Sequence, residues 1–188
     1  MKRVLCAALA VLFLCVCLAG CGNKLKSDLT FETLSVTFYD GKTVSTDMDQ
    51  EAVRKNMERA PSDTLELTNS TMDEWVLNYG LSVAYDLSEN VSSIMAIKTD
   101  DTSFKTSLGV SLGDSIASVK ENLGEPILKD EDSCNYLFYR TEGRYVIVRG
   151  DPDYFLSSLK EEERKNAYMV IFYFENDKVE SFSVRNFT

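Results

Sequence analysis

Residues 107–126 read SLGVSLGDSIASVKENLGEP. The glycine-punctuated run Ser107 to Ser115 leads into a helix, and Asp114 or Ser115 can cap it because a short side-chain oxygen accepts an orphan N–H of the first turn. Ile116, Val119 and Leu123 recur at helical spacing and make the apolar face. Gly124 and Pro126 end the helix, glycine by supplying a left-handed cap and proline by forbidding continuation. Beyond this helix, Tyr136 to Arg140 and Arg144 to Arg149 have strand composition. Asp151-Pro152 then opens a charged helix predicted from about Asp153 to Lys165. The clearest hairpin comes last, with Tyr168 to Phe174 and Val179 to Val184 flanking Glu175-Asn176-Asp177-Lys178.

Toward the N-terminus, the polar stretch Thr99 to Ser103 separates this half from an earlier one. There Leu81 to Tyr85 and Val91 to Ile97 form a hairpin across Asp86 to Asn90, and Leu65 to Leu67 and Trp75 to Tyr79 are weaker strands. A helix precedes them, capped by Thr46 or Asp47, with Val53, Met57 and Ala60 on one face and Pro61 as its stop. Thr30 to Tyr39 reads as one strand, turned at Asp40-Gly41 into Lys42 to Ser45.

The halves echo each other. Ala52 to Met57 resembles Ser118 to Leu123, with Val53 and Val119 offset by 66 residues. Tyr85, Val91 and Ser93 match Tyr173, Val179 and Ser181 at an offset of 88. The 22-residue difference is close to what the charged helix and its flanks add to the second half, so the sequence predicts a duplication. The expected fold is α+β, built from one or two tandem units of helix packed on antiparallel sheet. Residues 30–98 make the first unit and 104–188 the second, which carries the inserted helix.

The first residues carry a different signal. Lys2 and Arg3 precede an apolar run from Val4 to Leu18, which suits a signal peptide and is too short to span a bilayer stably. Leu18-Ala19-Gly20-Cys21 resembles the lipobox of bacterial lipoproteins. The resemblance implies a diacylglyceryl thioether on Cys21 and cleavage between Gly20 and Cys21, making 1–20 a signal peptide and 21–29 a lipid anchor with a short linker. A diacylated thiol buries enough methylenes, at about 0.8 kcal/mol each, to anchor a protein without a membrane-spanning helix. Cys6, Cys15 and Cys17 leave with the signal, so if Cys21 is lipidated Cys134 has no partner for a disulfide.

Composition bounds the remainder. The formal charge is -10, and losing Lys2 and Arg3 makes it -12, which repels nucleic acid and anionic lipid headgroups. The 167 residues after Cys21 are enough for a buried core, and abundant Tyr and Phe argue for folded β-rich structure.

A second resemblance rests on Gly109 to Ser115 with Val119, then Leu123-Gly124-Glu125-Pro126, then an aromatic hairpin. This pattern is similar to a repeat of Gram-positive lipoproteins, and the helix-then-sheet unit is similar to the folds of the β-lactamase inhibitory protein and of small outer-membrane assembly lipoproteins. Those families imply a binding surface on the sheet and no active site.

The chain has no histidine, which removes Ser-His-Asp and Cys-His catalysis and the usual zinc ligand sets. Ser157-Ser158-Leu159-Lys160 fits S-x-x-K, but its partner motifs are missing and the simpler reading is an exposed helix. Asp47, Asp49, Glu51 and Glu58 have calcium-loop spacing, yet Ala52 stands where that loop needs glycine and the stretch reads as a helix. Asp130, Glu131 and Asp132 read as a solvated turn. Arg149-Gly150-Asp151 spells an integrin-recognition tripeptide in ordinary turn chemistry. Cys134 reads as a small buried hydrophobe. Within Phe172-Tyr173-Phe174 at least one ring faces outward, where with Trp75 it could serve a protein or glycan surface or pack beneath the inserted helix.

The expected protein is a lipid-anchored, extracytoplasmic, non-catalytic binding or protein-interaction module, with no cofactor and no metal. Its expected partners are the membrane, through lipid on Cys21, and a protein or cell-wall component. The alternatives are a small envelope hydrolase or carbohydrate-acting enzyme using paired carboxylates, and a structural envelope-assembly lipoprotein.

Overall fold

The computed structural model describes residues 29–38, 41–57, 64–67, 70–73, 80–86, 88–97 and 104–187, with backbone alone for 64–67, 70–73 and 97. The signal segment, Gly20, Cys21 and Trp75 lie outside these residues. The chain is α+β. In order it forms β1 (Thr30–Phe31), β2 (Ser35–Phe38), β3 (Thr43–Ser45), α1 (Gln50–Met57), β4 (Thr64–Leu67), β5 (Ser70–Asp73), β6 (Leu81–Tyr85) and β7 (Val91–Ile97). There follow β8 (Phe104–Thr106), α2 (Ile116–Leu123), β9 (Leu128–Lys129), β10 (Ser133–Thr141) and β11 (Arg144–Val148). Helices α3 (Pro152–Ser158) and α4 (Glu161–Arg164) lead to β12 (Ala167–Glu175) and β13 (Lys178–Asn186). Among the described residues one antiparallel sheet has the order β1-β11-β10-β12-β13-β7-β6-β5-β4, with β9 beside β10, and a small sheet has the order β3-β2-β8.

Alternation along β12 explains the core. Tyr168, Val170, Phe172 and Phe174 are buried, and they join Val53 and Met57 of α1, Val119 and Leu123 of α2, and Val36, Val44 and Phe104 of the small sheet in one cluster. The helix predicted from residues 107–126 forms as read. Ser115 Oγ accepts the Ser118 N–H at 3.1 Å, and Gly124, at φ 80°, donates its N–H to the Lys120 carbonyl at 2.7 Å. Asp114 instead closes the preceding turn by accepting the Ser111 N–H at 2.7 Å.

Three local expectations are corrected. The stretch Thr30 to Phe38 is two strands in two sheets where the sequence predicts one strand through Tyr39, because the Ser107 hydroxyl donates to the Thr33 carbonyl at 2.7 Å and accepts the Ser35 N–H at 3.0 Å where the chain crosses over. The first helix is capped by Asp49, whose carboxylate accepts the Ala52 N–H at 2.7 Å, and Thr46 and Asp47 turn elsewhere. The inserted helix breaks in two at Leu159. The Ser157 and Ser158 hydroxyls bond back to the Tyr154 and Phe155 carbonyls, and the Glu163 carboxylate accepts the Lys160 N–H at 2.8 Å to start α4.

The two halves also share contacts. Val91 N–H donates to the Met48 carbonyl at 2.9 Å and Gln50 N–H to that of Glu89 at 2.8 Å; Val179 N–H donates to the Asp114 carbonyl at 2.8 Å and Ile116 N–H to that of Asp177 at 3.3 Å. The Asn56 amide donates to the Thr43 carbonyl, as Asn122 does to Gly109. In the backbone pairs the helix-side residues differ by 66 and the hairpin-side residues by 88, and in the amide pair both partners differ by 66. Register shifts fall at Ala84/Tyr85 and Tyr173/Phe174, so the residue standing where Tyr85 stands is Phe174, one beyond the sequence match. The outer strands differ in order, β4-β5-β6-β7 against β11-β10-β12-β13.

Candidate functional site

Most residues singled out from sequence hold the fold. Asp49 caps α1, and Glu51 is exposed on that helix; Glu58 lies outside the described residues. Ser157 and Ser158 bond to carbonyls of their own helix. Arg149 donates to the Glu125 carbonyl at 2.8 Å and the Leu123 carbonyl at 2.6 Å, covering the C-terminal end of α2. Asp151 caps α3 by accepting the Asp153 and Tyr154 N–H groups, so both charges of the Arg149-Gly150-Asp151 tripeptide are engaged within the fold. Cys134 is buried in the core, and burial pushes its thiol pKa up. Asp130, Glu131 and Asp132 are exposed, and no group of three potential metal ligands clusters among the described residues.

Two surfaces stand out once these are set aside. The first is an open cleft of about 340 Å³ across one end of the large sheet. It is lined by Thr46 and Asp47 before α1, Asp86, Asn90 and Ser92 of the β6–β7 hairpin, and Arg140, Lys165, Asn166, Tyr168 and Asn186 of the second half. Sequence reading missed it, because strands far apart in the chain bring these groups together.

A buried tyrosine organises the cleft floor. The hydroxyl of Tyr145 lies 2.9 Å from Thr46 Oγ1 and donates to Asp47 Oδ1 at 3.1 Å. Arg140 Nη1 pairs with the same carboxylate oxygen at 2.8 Å, and its guanidinium carbon sits 5.7 Å from the centroid of the Tyr145 ring. Tyr168 packs edge-on against Tyr145 with centroids 5.4 Å apart. Burial raises the pKa of both phenols, which keeps them neutral donors. Asp86 Oδ1 accepts the Ser88 and Asn90 N–H groups at 2.8 and 3.0 Å, shaping the hairpin turn.

The second surface is the sheet face opposite the core. Strand alternation and register place Asn135, Met169, Ile171, Tyr173, Ser183 and Met95 there on adjacent strands. Tyr173 is thus the outward ring of the aromatic run, and Phe172 and Phe174 point inward. The inserted helix meets this face at its margin, where Phe155 packs edge-on against Tyr139 with centroids 5.5 Å apart and Leu137 is fully buried. It therefore lies across the sheet from α1 and α2. The same face continues through Ser181, Arg185, Ser93, Ser82 and Ala84, with Glu175 beyond Tyr173 and Glu180 at the bulge beside Ser181, so its carboxylates stand at the end past Tyr173 and the strip Met169, Ile171 and Met95 is apolar.

Comparison with protein-family models, curated proteins and solved structures gives no match to this chain.

Proposed function

We propose that this chain is an extracytoplasmic lipoprotein, anchored through lipid on Cys21, that acts as a non-catalytic protein-binding module through the outer face of its large sheet. The observation that carries the binding role is the half-buried strip of Met169, Ile171, Tyr173 and Met95 on the outer sheet face of an otherwise strongly acidic chain. Depletion of charge with retained aromatic and Met side chains is the compositional mark of an interface centre. The acidic remainder, at -12 once Lys2 and Arg3 leave with the signal segment, would steer a basic partner toward that centre. The occupant we assign is therefore an envelope protein presenting apolar side chains within a basic rim. A cell-wall-cleaving role would call for two facing carboxylates free for acid and base work, whereas Asp47 of the cleft is held in an ion pair with Arg140.

We further read the body as tandem units, 30–98 and 104–188. Support comes from the hydrogen bonds repeated at offsets of 66 and 88, and from the pairing of β7 with β13, which sets the last strands of the units side by side.

A photo-crosslinking residue placed at Ile171 in living cells is the direct test, with exposed Glu51 on α1 as the control position. One discrete adduct from Ile171 and none from Glu51 is the expected result. Adducts from Glu51 alone, or purified protein that turns over a cell-wall polymer, would overturn the binding role.

A further inference from the structure

The cleft is separate from the outer sheet face, and its groups are arranged by charge. Arg140 and Lys165 stand at the β10–β12 side, and Asp86 stands on the β6–β7 hairpin at the other. Asn90, Asn166 and Ser92 lie between as neutral donors and acceptors. Asp47 and the Tyr145 ring fix one edge of the Arg140 guanidinium and leave its remaining N–H groups for a ligand. Lys165 is exposed and has no ion-pair partner among the described residues. Together these cations match a carboxylate, which a planar guanidinium binds through paired charge-assisted hydrogen bonds.

We infer that this cleft binds a short zwitterionic peptide, its terminal carboxylate at Arg140 and Lys165 and its ammonium at Asp86. The cleft, at about 340 Å³, falls in the range of pockets that take small ligands. A ligand of no net charge also avoids the repulsion that a chain of charge -10 imposes on a polyanion.

The test is equilibrium dialysis of the full chain in detergent micelles against trialanine, N-acetyl-trialanine, trialanine amide and glucose. Trialanine is expected to bind saturably, and blocking either end to weaken it by about tenfold or more, as loss of a charge-assisted contact does. Asp86→Asn keeps the acceptor oxygen of the turn while removing the charge, so it is expected to erase the effect of N-acetylation. Lys165→Gln, at an exposed position, is expected to shrink the effect of amidation. No saturable binding of trialanine, equal binding of the blocked peptides, glucose binding in its place, or variants indistinguishable from the parent would each overturn the assignment.

Discussion

Phe38 and Phe104 oppose each other across the β2–β8 pairing, their ring centroids 4.9 Å apart and their planes at 71°, and they lie 66 residues apart in the chain. That separation equals the one between Val53 and Val119, as the proposed tandem units would require if they meet at like residues. In the large sheet the same relation recurs where Met95 pairs with Ser183, 88 apart.

Because both rings are almost fully buried, Phe38→Ala or Phe104→Ala is expected to cost ~3–4 kcal/mol, the usual range for a deleted core aromatic. Edge-to-face packing adds coupling, so the double variant is expected to fall short of the sum by ~1 kcal/mol in urea unfolding followed by circular dichroism. Strict additivity would show that the rings do not interact.

Arg149 and Gly124 form a second testable pair. A Cβ at Gly124 would stand 2.9 Å from Arg149 Nη2, and the backbone there has φ 80°, so Gly124→Ala is expected to destabilise by ~1–2 kcal/mol. Arg149→Met keeps the stem and removes two hydrogen bonds to the carbonyls at the end of α2, with an expected loss of ~1.5–3 kcal/mol. A thermal scan of each variant checks both values.

The buried phenols set an alkaline limit. Burial raises the pKa of Tyr136, Tyr145 and Tyr168 above the unfolded value of about 10, so the folded state favours the protonated form. Their contribution is complete below about pH 10 and declines as pH rises further toward the folded values. Urea midpoints measured between pH 8 and 11 are expected to fall at the upper end. Tyr145→Phe is expected to lose ~1 kcal/mol at pH 8, through its bonds to Thr46 and Asp47, and to reduce the alkaline slope. A slope unchanged in the variant would assign the alkaline loss to other groups.

Met169→Asp tests the outer face without touching the core. Met169 is half-buried on that face, so the change is expected to cost less than ~2 kcal/mol. Crosslinking from Ile171 is expected to disappear, and undiminished crosslinking would move the interface elsewhere.

Local rules made much of this fold legible. The caps and stop of α2 and the turn Glu175-Asn176-Asp177-Lys178 are written in short-range chemistry, with Asn176 and Asp177 both at positive φ as a tight hairpin requires. The break at Leu159 was hidden because charged residues on both sides suit a helix, and it depends on serine hydroxyls competing for carbonyls. The crossover at Thr33 was hidden because Ser107, 74 residues away, supplies its hydrogen bonds. The cleft was illegible for the same reason, since Asp47 and Arg140 meet only after the sheet has formed.

The proposed anchoring of this acidic body is tested most directly by mass spectrometry of the protein extracted from the cells that make it. The expected result is a mature chain beginning at Cys21 with diacylglycerol on its sulfur, and a Cys21→Ser variant left unprocessed and unlipidated. An unmodified N-terminus at any other residue, or a serine variant processed and retained on the membrane like the parent, would contradict it.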